Sequence, residues 1–246
     1  FLRKGFDNEM IARMKNEESS KRTILSGVSN LQGGHCLSLR QGYSPQIRKW
    51  WETSDHLHSV PSKFSNQVDQ FKEIFSNACT IRMRSDVPIA TALSGGLDSS
   101  SVMCSMVDAR SRLIDDRRLA EDWEKAFVLV YKGTSHDERR YADKVIRHTG
   151  VTPVYKEINP FDICPDDLVS SIRSLEAIQG TEPALGPWLL YREMKRNGIT
   201  VSIDGHGGDE ILSGYHHHLE VAMKDAMWPW PRFSRRAHLA LILRGL

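Results

Sequence analysis

Two short runs hold most of the residues that could do chemistry. The first is Leu93-Ser94-Gly95-Gly96-Leu97-Asp98-Ser99-Ser100. Gly95 and Gly96 lack a Cβ, so backbone N–H groups can approach a ligand closely. The hydroxyls of Ser94, Ser99 and Ser100 add donors, and a helix starting there would add about half a positive charge. Such a set grips an anion. Asp98 is the odd member, and a carboxylate beside a phosphate makes sense when Mg²⁺ sits between them. The second run is Asp204-Gly205-His206-Gly207-Gly208-Asp209-Glu210. Taken alone, Asp209 and Glu210 read equally well as acids that favour a helix N-terminus. Paired with the first run, Asp209 reads as a second Mg²⁺ ligand beside Asp98. No Gly-Lys-Ser/Thr follows the glycines, so the first run is not a Walker A loop, and a Gly-x-Gly-x-x-Gly fingerprint is absent.

The first run resembles the Ser-Gly-Gly-x-Asp-Ser pyrophosphate loop of the ATP pyrophosphatase superfamily. The two runs together resemble the synthetase domain of asparagine synthases. There the first loop is typically Leu-Ser-Gly-Gly-Leu-Asp-Ser-Ser and the second Ser-Gly-Glu-Gly-x-Asp-Glu. Arg82 to Pro88, Phe127 to Tyr131 and Asp137-Glu138 extend the likeness. Asn30 to Leu39, with Trp50-Trp51-Glu52, is similar to the end of that family's glutamine-hydrolysing domain and its linker.

The resemblance implies an α/β fold of the adenine nucleotide α-hydrolase type, a parallel sheet flanked by helices. It implies ATP and Mg²⁺ as cofactors. Leu93, Ser94, Gly95, Gly96, Leu97, Asp98, Ser99, Ser100, Leu129, Asp204 and Gly205 would bind the nucleotide, Leu129 by lining the adenine pocket. Asp98 and Asp209 would hold the metal, and Asp98 and His206 would be catalytic. The implied reaction adenylates a carboxylate, L-aspartate first among the options, and then transfers ammonia derived from glutamine. The chain departs from the family at two positions: His206 stands where a Glu is usual and Asp204 where a Ser is usual. His206 could act as a base toward the amine, donate to phosphate, or be a passive replacement. The departure keeps other acids open, as in lasso-peptide cyclases or β-lactam synthetases. A catalytically degenerate nucleotide-binding subunit is a third reading.

The elements that must position these residues follow from hydrophobic patterning. Strands are expected over 87–93, 126–131, 153–158 and 200–204, and helices over 99–110, 137–149, within 163–179 and over 186–197. Asp137 and Glu138 read as helix caps. Phe64, Val68, Phe71, Phe75, Ala78 and Ile81 recur at helical spacing before the first strand. Strands alternating with helices predict a parallel sheet, with both loops at the carboxyl ends of strands, where open α/β sheets bind ligands. One or two strands are expected over 28–40 around a Gly33-Gly34 turn, and a linker over 42–61. Residues 1–60 then read as the end of a glutaminase-like domain, and 61–246 as the synthetase domain. Residues 1–22 are charged and weakly patterned. Trp228-Pro229-Trp230-Pro231 breaks the helical pattern, and 232–246 is basic and apolar. His216-His217-His218 reads as a solvated or partly packed stretch, since consecutive residues do not share a helix face.

Composition narrows the class. The chain is 40% hydrophobic and 26% charged, as in an ordinary globular protein. A net charge of +2 argues neither way about nucleic acid. No nucleic acid or membrane partner is expected; a small carboxylate and ammonia or glutamine are, with a homodimer as an open option. Cys36, Cys79, Cys104 and Cys164 are scattered, as expected of reduced thiols in a cytoplasmic protein. A start at Phe1 and an end inside an apparent helix suggest a fragment of a longer protein.

Overall fold

A computed structural model describes residues 23, 26–57, 59–113, 119–159, 164–175, 185–215, 218–219 and 221–222. The readings of residues 1–22, 216–217 and 228–246 lie outside these. The chain divides into two compact units at Gln67–Val68. No helix among the described residues is long and apolar enough to cross a membrane.

The first unit contains a hairpin of β1 (His35–Ser38) and β2 (Gln46–Lys49), antiparallel from His35↔Lys49 to Ser38↔Gln46. Of the one or two strands expected around the Gly33-Gly34 turn, β1 follows that turn directly. The Gly34 carbonyl accepts the N–H groups of Trp50 and Trp51 at 2.8 and 3.1 Å. The stretch expected to be a linker therefore carries a strand. Every residue of β2 is exposed, so no apolar alternation marks it in the sequence. A 3-10 turn follows at Thr53–His56.

The second unit is built on four parallel strands: β3 (Ile89–Ala92), β4 (Lys125–Val130), β5 (Thr152–Glu157) and β6 (Val201–Ser202), in the order β5-β4-β3-β6. The helices are α1 (Phe64–Arg82), which starts in the first unit, α2 (Leu97–Arg112), α3 (Arg139–Thr149), α4 (Pro165–Leu175), α5 (Leu185–Arg196) and the short α6 (Gly208–Leu212). β4 is buried along most of its length because both sheet faces are covered. Val128 and Val130 pack with Met103, Met106 and Ala142 of α2 and α3. Phe127 lies on the opposite face with Leu190 and Met194 of α5, and half-buried Leu129 packs there too. Cys79 and Phe75 carry α1 onto the first of these clusters.

The chain order explains where a ligand would bind. From β3 it moves outward through α2 to β4 and through α3 to β5. It then returns through α4 and α5 to place β6 on the other side of β3. The strand order reverses between β3 and β6, and connections leaving the carboxyl ends there diverge and open a crevice. The two glycine-rich runs are those two connections.

Candidate functional site

The first loop is shaped by its own serines. The Leu93 N–H extends the sheet by donating to the Phe127 carbonyl at 2.8 Å, and its side chain is buried in the core. Ser94 Oγ accepts the Gly96 N–H at 3.2 Å, and the Ser94 N–H donates to Ser99 Oγ at 3.3 Å. The two hydroxyl oxygens are 3.0 Å apart. Gly95 has φ +84°, and a Cβ there would lie 2.3 Å from the Ala142 nitrogen at the start of α3. Only glycine combines that backbone with that approach. Gly96 caps α2 in an extended conformation and offers no side-chain acceptor to the first-turn N–H groups. The helix thus begins two residues earlier than expected, which puts Asp98 and Ser99 in its first turn. Ser100 Oγ is buried without a hydrogen-bond partner, while Leu97 is exposed.

The second loop is tied to the sheet by Asp204. Ile203 donates its N–H to the Ala90 carbonyl at 2.8 Å, where strand pairing ends. One Asp204 oxygen then accepts the Ala92 N–H at 2.7 Å and the Ser202 hydroxyl at 2.5 Å. The other accepts the Tyr191 hydroxyl of α5 at 2.7 Å. Burial, together with that bond to the Asp204 carboxylate, pushes the Tyr191 phenol well above its usual range. His206 Nδ1 lies 3.9 Å from the same oxygen as Tyr191, with its side chain 74% exposed and that of Asp204 only 9%.

The loops meet at Asp98. A Cβ on Gly208 would fall 2.4 Å from Asp98 Cγ, and one on Gly205 would fall 2.9 Å from Asp98 Cβ. The Asp98 carboxylate therefore lies against Gly208, the first residue of α6 and the residue before Asp209 in sequence. The Tyr215 phenol feels both charges: its pKa is raised by a 2.9 Å hydrogen bond to Glu210, by burial, and by the charges of Glu210, Asp209 and Asp98. Glu210 is held below the usual carboxylate range by a backbone hydrogen bond, by Tyr215, and by the nearby imidazoles of His206 and His218.

Among the described residues neither the Asp98 nor the Asp209 carboxylate has a hydrogen-bond or ion-pair partner, although the Asp209 backbone carbonyl accepts the Gly214 N–H at 2.9 Å. Two unpaired carboxylates fit Mg²⁺, which takes one or two protein carboxylates and completes its shell with phosphate oxygens and water. No described cluster of three or more His, Cys, Asp or Glu forms an all-protein metal cage.

Leu129 sits on β4 facing α5. A Cβ on Gly186, in the first turn of α5, would lie 3.6 Å from Leu129 and 2.4 Å from the Tyr131 hydroxyl. Asp137 accepts the Arg139 N–H at 3.1 Å and so caps α3, whereas the Glu138 side chain makes no cap bond. Tyr155 donates to Asp143 at 2.6 Å. Sequence reasoning missed Tyr191, whose distance along the chain from Asp204 follows no local spacing rule. It also missed the role of Gly208, which the paired glycines before Asp209 could have signalled. A surface depression lined by Arg110, Trp123, Glu124 and Thr149 lies near the opposite, amino ends of β4 and β5 and contains none of these residues.

Comparison with known proteins places this geometry in a family. The asparagine synthase family model matches residues 70–246. Asparagine synthetase [glutamine-hydrolyzing] of Zea mays is 27% identical over 222 residues, covering 86% of this chain and 35% of that protein. Amidase chry2 of Gibberella zeae is 25% identical over 249 residues, covering 94% and 36%. A solved glutamine-dependent NAD+ synthetase from Acinetobacter baumannii, in complex with ADP, aligns with TM-score 0.39 and 19% identity over 71% of this chain and 33% of that one. The chain thus spans about a third of the length of the curated relatives it matches. Since the match takes in both glycine loops and every strand of the parallel sheet, the chain belongs to the asparagine synthase family.

Proposed function

We propose that the protein carrying this chain is an ATP-dependent, amide-forming ligase that releases AMP and pyrophosphate. One observation carries the reading: the Asp98 carboxylate of the Ser-Gly-Gly loop lies against Gly208, the residue before Asp209, at the reversal of strand order.

The backbone N–H groups around Gly95 and Gly96, and those of the first turn of α2, bind the pyrophosphate part of ATP. Leu129, in the cleft beside Gly186, packs on the adenine. Asp98 and Asp209 would hold Mg²⁺, which would neutralise charge on the phosphate oxygens. An oxygen of the substrate carboxylate attacks the α-phosphorus, and the bond to the pyrophosphate oxygen breaks. Donors fixed before the reaction stabilise the charge that develops there. The amine nitrogen then attacks the acyl carbon, AMP leaves, and a base takes the proton from nitrogen. His206, exposed on the second loop, is that base.

L-aspartate as the acid, and ammonia from glutamine as the amine, are the substrates the family points to. A second reading keeps the chemistry and changes the acid. It is favoured by Asp204 and His206 standing where the family usually has Ser and Glu. Exchange of labelled pyrophosphate into ATP, run with the full polypeptide against a panel of carboxylic acids, separates the two. Exchange that requires aspartate and Mg²⁺ supports the first reading. Exchange absent with aspartate and present with a peptide acid supports the second, and none with any acid overturns the ligase reading.

A further inference from the structure

Asp204 and His206 depart from the family pattern together, and the structure joins them. Asp204 is pinned: one oxygen holds two donors from the sheet, and the other holds the Tyr191 hydroxyl. What remains open on that second oxygen faces His206 Nδ1 at 3.9 Å. The carboxylate is fixed and buried whereas the imidazole is exposed, so any closure is made by the imidazole. A movement of about 1 Å brings Nδ1 to hydrogen-bond distance, and catalytic hydrogen bonds in ligand-free structures often start long.

The chemistry explains why the two changes belong together. A Glu can take a proton through either oxygen. A His works as a base only when one ring nitrogen is bare and aimed at the donor, and the partner of the other nitrogen decides which one that is. We infer that Asp204 is the positioning residue for His206: it holds Nδ1–H inward so that Nε2 faces the attacking amine. The inference rests on the ligase reading. The charged groups facing the imidazole are Asp204 and Glu210, with Asp98 and Asp209 beyond Gly205 and Gly208. The Glu210 oxygen that accepts from Tyr215 is already engaged.

The test is nitrogen–proton correlation NMR of the full polypeptide labelled in histidine, with His206→Gln identifying the signal, together with the rate of amide formation. In the unaltered protein the proton should sit on Nδ1. In Asp204→Asn the carboxamide NH₂ faces Nδ1, so the proton should move to Nε2. Amide formation should slow in the same variant, because Nε2 is then no longer bare. Tyr191→Phe removes a competing donor and leaves the Asp204 carboxylate as an acceptor, so there the proton should stay on Nδ1. It also serves if Asp204→Asn does not fold. A proton on Nε2 in the unaltered protein or in Tyr191→Phe, or one that stays on Nδ1 in Asp204→Asn, overturns the inference. Loss of pyrophosphate exchange with every acid overturns the ligase reading instead, while the tautomer result still stands or falls alone.

Discussion

Asp98 and Asp204 are both acids in glycine-rich connections, yet their surroundings give them opposite tasks. The Asp98 carboxylate has no partner among the described residues and lies at a junction of two loops. Asp204 is consumed by three donors. Asp98→Asn keeps the shape and removes the charge. It should lower Mg²⁺-dependent pyrophosphate exchange by about 100-fold or more, while urea unfolding shifts by no more than about 0.5 kcal/mol. Tyr191 gives a pH signature. Its folded pKa is raised above the unfolded value of about 10. Its contribution is therefore fully present below pH ~10 and is lost as pH rises past that point toward the folded pKa. Thermal melts should show a fall above pH ~10 that is shallower in Tyr191→Phe. In the sequence both acids read alike, as members of ligand-gripping runs. What separates them is a tyrosine on α5 and a backbone N–H on β3, neither at a spacing that a local pattern reveals.

At the scale of elements, the strand–loop–helix units were legible because β3 and β4 are apolar runs bounded by glycine and charge. Helix α2 starts earlier than its apolar pattern because Gly96 caps it, and capping is a backbone property that side-chain periodicity does not report. β6 is shorter than expected, with only Ile89↔Val201 and Ala90↔Ser202 in register. Its pairing is continued by a side chain: the Asp204 carboxylate takes the Ala92 N–H that a longer strand would have taken. Asp204→Ala leaves that N–H unmet and should cost about 1–3 kcal/mol. Hydrogen exchange should localise the loss, with the amides of Ala92 and Ile203 exchanging faster while those of β4 and β5 stay protected. Equal acceleration throughout the sheet would show that Asp204 is not a local fastening.

At the scale of the whole molecule, every candidate site residue belongs to the second unit, Val68–Leu246, and the family match at 70–246 falls within it. The first unit's hairpin contributes none of them. The sheet order puts the two connections side by side, and that order cannot be read from motif spacing. It could be anticipated only because parallel sheets gather their ligand loops at one end. The central claim is that this gathering makes an adenylating site. The most direct measurement uses the acid selected by pyrophosphate exchange, labelled with ¹⁸O in its carboxyl group, in a complete reaction followed by mass spectrometry of the products. Attack on the α-phosphorus predicts one ¹⁸O in the phosphate of AMP. Label in inorganic phosphate accompanied by ADP, or no transfer of label during amide formation, would contradict the account.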